Sequence, residues 1–317
     1  MNRSPEFLTE LASDYYLEGL SQAEIGRKYK ISRPTVSHLL KLSRARGIVE
    51  IRINSGARFS QALEERLGRD YGLNRVIVVP TQSDHALTLN RTALEGAEYL
   101  SSLLFDRIKI GISWGTALYH LIRQLPRHAT VDSQVVQLTG GLGASALYYD
   151  GSELARLLAE KINGQSFPFL APLLVQSPEL KVMLCSDPRI SETLEKAASL
   201  DLALVGLSSN RPQDSAVVQA GFLTVPEAEE LEGQGAWGHL CGYHYDRRGS
   251  IMNLPINERV VGIPFSGFLR IPRRIAVACG RQKAKAIYAA LRGGLVTDLV
   301  TDEQAALQIL SLGAPED

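Results

Sequence analysis

The sequence predicts a two-part α/β protein, with a small basic helical unit followed by a doubly wound domain built on a parallel sheet. Three observations carry this. Apolar runs without alternation, at 75–80, 107–113, 133–140, 200–208 and 273–280, recur between helical stretches at 90–104, 115–125, 152–162, 190–199, 284–292 and 302–311. Such runs are what strands covered by helices on both faces look like. Residues 21–52 gather eight basic side chains against two acidic ones, whereas residues 1–20 hold one basic against four acidic. Glycines close three of the apolar runs, where a parallel sheet places its ligand edge.

Length and composition bound the remainder. At roughly 100–200 residues per domain, a chain of 317 residues makes two or three domains. A hydrophobic share of 45% with 21% charged residues excludes a disordered chain. Three well-separated cysteines, in no metal-ligand spacing, exclude a disulfide scaffold and a structural zinc site. No apolar run approaches the ~20 residues that span a bilayer. The N-terminus lacks the apolar core of a signal peptide. A cytoplasmic protein with no membrane partner and no cofactor is expected.

In the N-terminal unit, residues 6–18 place Leu8, Leu11, Ala12, Tyr15 and Tyr16 at helical spacing. Gly19 ends that helix. Ser21 followed by Glu24 reads as a capping box opening a second helix to about Tyr29. Gly26 is expected on its inner face, where a small residue lets another helix approach. A turn at Lys30–Ile31 follows, with a left-handed Lys30 costing on the order of 1 kcal/mol. Ser32 caps a third helix, Pro34 falls in its first turn, and Val36, Leu39 and Leu40 are buried before Gly47. Two short helices with a basic second member form a helix-turn-helix. The alternating IVEIRIN that follows is expected to close a wing.

Helix-turn-helix docking puts the start of the second helix of the motif into the major groove. Ser32, Arg33, Thr35, Ser37 and His38 are the candidates to face bases there. The Arg33 fork suits guanine and Thr35 a thymine methyl. Lys41 and Arg44 lie further along and are expected on phosphates, as is Lys28.

Residues 58–72, with Phe59, Leu63 and Leu67 on one face, read as a connecting helix into the second domain. In that domain the glycine turns are Ser113-Trp114-Gly115-Thr116, Thr139-Gly140-Gly141-Leu142-Gly143 and Cys279-Gly280-Arg281-Gln282-Lys283. Glycine lets the backbone approach a ligand, and free amides at a helix start favour an anion. No full dinucleotide or Walker fingerprint occurs. Together the three turns predict a small-ligand pocket. The stretch WGHLCGYHYD holds His239, Cys241, His244 and Asp246, but read as one alternating strand it presents no tetrahedral metal set. No G-x-S-x-G nucleophile elbow is present. Tyr148 and Tyr149 fit either loop packing or a pocket wall.

The whole chain resembles the SorC family of bacterial transcriptional regulators, grouped with DeoR-type sugar-responsive proteins. The resemblance rests on DYYLEGLSQAEIGRKYKISRPTVSHLLKLSRARGIVEIRI, GISWGTAL, LTGGLG, ALVGLSS, GAWGHLCGYHYDRRG and AVACGRQKAKAIYAALRGGLVTDLVTDEQAA. It implies a winged-type DNA-binding domain over 1–55 and a sugar-sensing and oligomerisation domain over 56–317. The second would be similar to sugar-phosphate isomerases and glucosamine-phosphate deaminases, in a dimer or tetramer. It carries ligand contact to Gly115, Thr116, Thr139, Gly140, Gly141, His239 and Lys283. His239 stands where the family commonly has an acidic residue, and Thr139 where some phosphosugar-responsive members have a basic one. These departures leave a free sugar or polyol beside a phosphosugar as effector.

Two functions compete. One is a DNA-binding regulator whose operator binding is controlled by a sugar, polyol or sugar phosphate, without catalysis. The other is an isomerase or deaminase with a DNA-binding appendage, using Lys283, Asp246 and His239 for acid–base steps. The glycine turns carry no paired carboxylates, and fold does not imply function. The regulator is the expected reading.

Overall fold

The structure, a computed structural model, describes residues 4–49, 57–143 and 149–313. It divides into two compact units, Met1–Ser55 and Gly56–Asp317.

The first unit contains α1 (Pro5–Tyr16), α2 (Gln22–Lys28) and α3 (Arg33–Ala45). Each starts on a serine whose hydroxyl accepts an orphan first-turn amide. At Ser21 the cap is reciprocal, because the Glu24 carboxylate takes the Ser21 N–H at 2.8 Å. Lys30 is left-handed, with φ 54°, in the turn between α2 and α3. Gly26 makes that turn possible: a Cβ there would stand 2.8 Å from the Ile31 carbonyl oxygen. Its smallness therefore admits the turn itself rather than a facing helix. Leu8, Leu11, Ile25, Val36, Leu39 and Leu40 form the core. Residues 50–54 of the expected wing lie outside the described residues.

The second unit opens with α4 (Ala57–Tyr71) and β1 (Arg75–Val79). Leu63 and Leu67 are buried in one cluster with Val76 and Val78. The helix read as a connector is thus an integral layer of this unit. There follow α5 (His85–Ser102), β2 (Lys109–Ile112), α6 (Thr116–Gln124), β3 (Gln134–Gln137), α7 (Gly151–Ile162) and β4 (Gln165–Phe167). Next come α8 (Pro178–Cys185), α9 (Pro188–Ala197), β5 (Leu202–Val205), α10 (Ala216–Gln219) and α11 (Val225–Gly233). The chain continues through β6 (Gly238–Leu240), β7 (Tyr243–Tyr245), α12 (Pro255–Glu258) and α13 (Phe265–Leu269). It closes with β8 (Arg273–Val277), α14 (Ala284–Arg292), β9 (Asp298–Asp302) and α15 (Glu303–Ser311).

Seven strands form one sheet in the order β1-β9-β8-β5-β2-β3-β4, with every pairing parallel. Side chains alternate between two large apolar clusters, Ala203 and Val205 in one and Leu202 and Leu204 in the other. This double burial is why the strands read as unbroken apolar runs.

Three strand readings differ from the structure: the three-residue edge strand β4 is too short to stand out as an apolar run, and β9 and the His239 stretch depart for other reasons. β9 has an aspartate at each end and was missed. Both carboxylates are fully buried and satisfied, Asp298 by the distant Tyr99 and by its neighbour Thr297, Asp302 by Thr81 and the Gly280 amide. The stretch around His239 is a tight antiparallel hairpin, not one continuing strand. Cys241 and Gly242 both take positive φ (51° and 82°), the geometry of a two-residue turn matched to strand twist. The register consequently sets His239 opposite His244.

Candidate functional site

From β2 the chain steps outward through β3 to β4, whereas from β5 it steps the other way through β8 to β9. Adjacent strands β2 and β5 therefore mark the point where the winding reverses, and a crevice opens at their carboxyl ends. A cavity of about 220 Å³ lies there, walled by Trp114–Leu118 after β2, Gly206–Ser208 after β5, and Gln282 and Lys283 after β8. Gln213, Asp214 and Gln219 close another side, and His85 comes from the start of α5.

Each wall is built for close approach. Gly115 has φ 137°, its amide donates to the Tyr149 carbonyl at 3.0 Å, and nothing would meet a Cβ within 4 Å. It precedes α6, whose first turn receives no side-chain cap. The orphan amides and the positive end of the helix dipole therefore remain available to an anion. Gly280 takes φ 96° and donates its amide to the buried Asp302 carboxylate at 2.6 Å. That carboxylate also accepts from Thr81 Oγ1, which pins the turn carrying Lys283. Lys283 is half-buried, and among the described residues its ammonium makes no ion pair within 4.0 Å. Burial lowers its pKa, against the attraction of Cys279 and Asp214. Two residues on, Lys285 points away and rests 5.6 Å from the Trp237 ring centroid.

The cavity brings together Gly115, Thr116 and Lys283 of the expected effector residues, but not Thr139, Gly140, Gly141 or His239. The reason lies in the backbone. The Gly140 amide donates to Val261 O and the Gly141 amide to Ala171 O, both at 2.9 Å, so neither is left for an anion. A Cβ on Gly140 would overlap the Pro172 carbonyl, and Thr139 is buried in a bridge with Gly262. In this structure both amides are spent on backbone carbonyls, and Gly140 is packed against Pro172. His239 sits one layer back, 1% exposed, with its ring 6.5 Å from that of Trp114 and near-parallel to it. Tyr149 belongs to the wall, while Tyr148 lies outside the described residues.

His239 and His244 form a buried pair with ring centroids 5.1 Å apart. His244 Nδ1 donates to Asn210 Oδ1 at 3.0 Å, since the amide oxygen can only accept. Burial pushes His244 down to about 4, and His239 well below the imidazole range, helped by His244 and Lys283. Both are neutral near pH 7. In an unfolded chain each would take up a proton near pH 6.5. Stability is therefore full above that value and falls as the pH drops from about 6.5 to 4. His244 alone contributes about 3 kcal/mol across this window. The midpoint temperature should decline steeply from pH 7 to pH 5, and more shallowly in His244→Gln.

Comparisons with known proteins decide the family. A sugar-binding domain family model matches residues 57–311. The chain is 30% identical to the deoxyribonucleoside regulator of Bacillus subtilis, over 98% of this chain and 99% of that protein. It is 31% identical to the transcriptional regulator LsrR of Escherichia coli, over 96% and 94%. The crystal structure of the full-length sorbitol operon regulator SorC from Klebsiella pneumoniae superposes with a TM-score of 0.82 at 27% identity, covering 96% of this chain and 98% of that one. The chain belongs to the SorC family of sugar-binding transcriptional regulators.

In this SorC-family regulator, Ser32, Arg33, His38, Lys41 and Arg44 are exposed along α3, and Thr35 and Ser37 are half-buried. Ser32 is committed to the cap, its hydroxyl lying 2.8 Å from that of Thr35. Lys28, expected on phosphate, is exposed and pairs with Asp14 at 2.7 Å. Asp14 is buried and also accepts from the Tyr29 hydroxyl, so this cation is paired within the unit. Sequence reasoning also missed the Gly206–Ser208 wall and Asp214. Gly206 was visible as a glycine ending the LALV run, but Asp214 ends a single 3-10 turn, Pro212–Asp214, too short to show a periodic signal. Among the described residues no helix is long and apolar enough to cross a membrane, and no His/Cys/Asp/Glu group could hold a metal.

Proposed function

We propose that a sugar, polyol or sugar phosphate binds in the cavity at the β2–β5 crevice and thereby controls operator binding by α3. One observation carries this reading: the cavity presents one ammonium, Lys283, and one carboxylate, Asp214, beside the uncapped start of α6. Lys283 and the α6 amides suit a phosphate or a hydroxyl oxygen. Asp214 accepts from ligand hydroxyls, the role that the imidazole of His239, set behind Trp114, leaves open. Gly115 and Thr116 supply close backbone approach. A thermal-shift screen of sugars and sugar phosphates tests this, because a ligand bound only to the folded state raises the melting temperature. Failure of every member of both classes to do so would refute it.

The reading includes no catalysis. Among the described residues Asp214 is the single carboxylate in the lining, so no paired carboxylates of an acid–base site are assembled there. Turnover of a phosphosugar by the purified protein would favour the enzyme instead.

On DNA, Arg33 reads a base edge, with Thr35, Ser37 and His38 beside it, and Lys41 and Arg44 bind phosphates. One helix-turn-helix makes few contacts, so two copies act on a near-palindromic site as a dimer or tetramer. Arg33→Ala should cost about 1–3 kcal/mol on the operator and relax base preference at one position. Lys41→Ala should weaken all sequences alike and flatten the salt dependence by about one unit per subunit. Binding titrations on operator and random duplexes separate the two. Equal losses on both duplexes for Arg33→Ala would remove it from base reading.

A further inference from the structure

The second unit holds a larger cavity, of about 730 Å³, that shares no residue with the effector cavity. Its lining includes Trp237, Tyr288 and three arginines, Arg247, Arg248 and Arg292. The Arg247 guanidinium lies 5.4 Å from the Trp237 ring centroid, and the Lys285 ammonium 5.6 Å from it. Trp237 and Tyr288 are themselves 5.8 Å apart. The indole thus orients cations by its face and leaves their outer N–H donors free to bind.

The charge around this cavity is unbalanced among the described residues. Among the described residues Asp246 is the one carboxylate in the lining, and its Oδ1 is occupied by the Arg248 and Ser250 amides at 2.8 and 2.9 Å. Among the described residues none of the four cations is ion-paired, although Arg66, Arg91, Arg156 and Lys196 pair with carboxylates three or four residues away. Composition does not account for this, since the chain carries 34 basic and 34 acidic residues. Gathered like charges repel one another, and an anion among them relieves that cost.

We propose that this cavity binds a phosphorylated small molecule, at a site separate from the effector cavity. Planar guanidinium forks are matched to phosphate oxygens. The volume falls within the roughly 300–1,000 Å³ of small-molecule sites, which favours a compact phosphate over an acidic protein segment.

The chain's two tryptophans make the test site-specific, because Trp114 lines the effector cavity and Trp237 this one. In full-length Trp114→Phe protein, pyrophosphate titrated at constant ionic strength should change Trp237 emission saturably. Arg247→Ala and Arg292→Ala should each raise the midpoint at least tenfold, the loss expected of a charge-assisted contact. Arg247 is exposed, so its variant retains the fold and decides the matter even if Arg292→Ala does not fold. The proposal is overturned by the lack of a saturable response, or by midpoints unchanged in the arginine variants. It is equally overturned if Trp114, alone in Trp237→Phe, reports the same midpoint, or if a hexaglutamate peptide binds where pyrophosphate does not.

Discussion

Lys283→Ala moves the response to effector to roughly ten- to a hundredfold higher concentration and leaves operator binding without effector unchanged. The magnitude is that of a charge-assisted hydrogen bond, about 1.5–3 kcal/mol. The direction follows from geometry. Lys283 projects from a turn that Gly280 and the buried Asp302 hold in place, into a lining whose other fully charged side chain is Asp214. The lysine has no ion-pair partner to lose among the described residues, so its removal costs ligand binding rather than folding. Arg281→Ala is the control. That arginine is exposed two residues earlier and donates to Gln308 at 3.0 Å, outside the cavity. Effector titrations of the operator complex measure both variants. A wild-type response from Lys283→Ala would show that the ligand binds elsewhere.

Gly140→Ala should destabilise the protein by about 1–3 kcal/mol, the cost of forcing an atom into a filled site. Its Cβ would meet the Pro172 carbonyl, a backbone group fixed between the Gly141 and Leu173 connections and unable to swing aside. The result would be a melting temperature lower by several degrees, with or without effector. Thermal unfolding monitored by circular dichroism measures it. A wild-type melting temperature together with weakened effector binding would return Gly140 to the ligand and contradict the packing role.

These two residues show how far pattern reading reaches. The Gly140–Gly141 and Gly280 turns look equivalent in sequence, since each ends an apolar run with glycine. They part company only in space. The turn after β3 is closed over by Pro172 and Gly262, whereas the turn after β8 faces the reversal point between β2 and β5. Strand order separates them, and strand order is set by long-range pairing that no local pattern records.

What the sequence alone determined is what short-range physics dictates. Serine caps at Ser21 and Ser32, with Glu24 three residues after the first, placed the second and third helices of the first unit, and apolar spacing placed the first. A positive-φ lysine closed the turn before α3. Unbroken apolar runs marked five of the seven strands in a doubly covered parallel sheet. Tertiary structure alone decided the rest. It buried the aspartates that end β9 by giving them partners from distant elements. It folded the histidine stretch into a hairpin that sets His239 behind Trp114, and paired Lys28 with Asp14, fourteen residues earlier. It also brought Asp214 to Lys283 across the sheet edge. A charge or imidazole takes its role from the partner it meets and the water it loses, and folding supplies both from far along the chain.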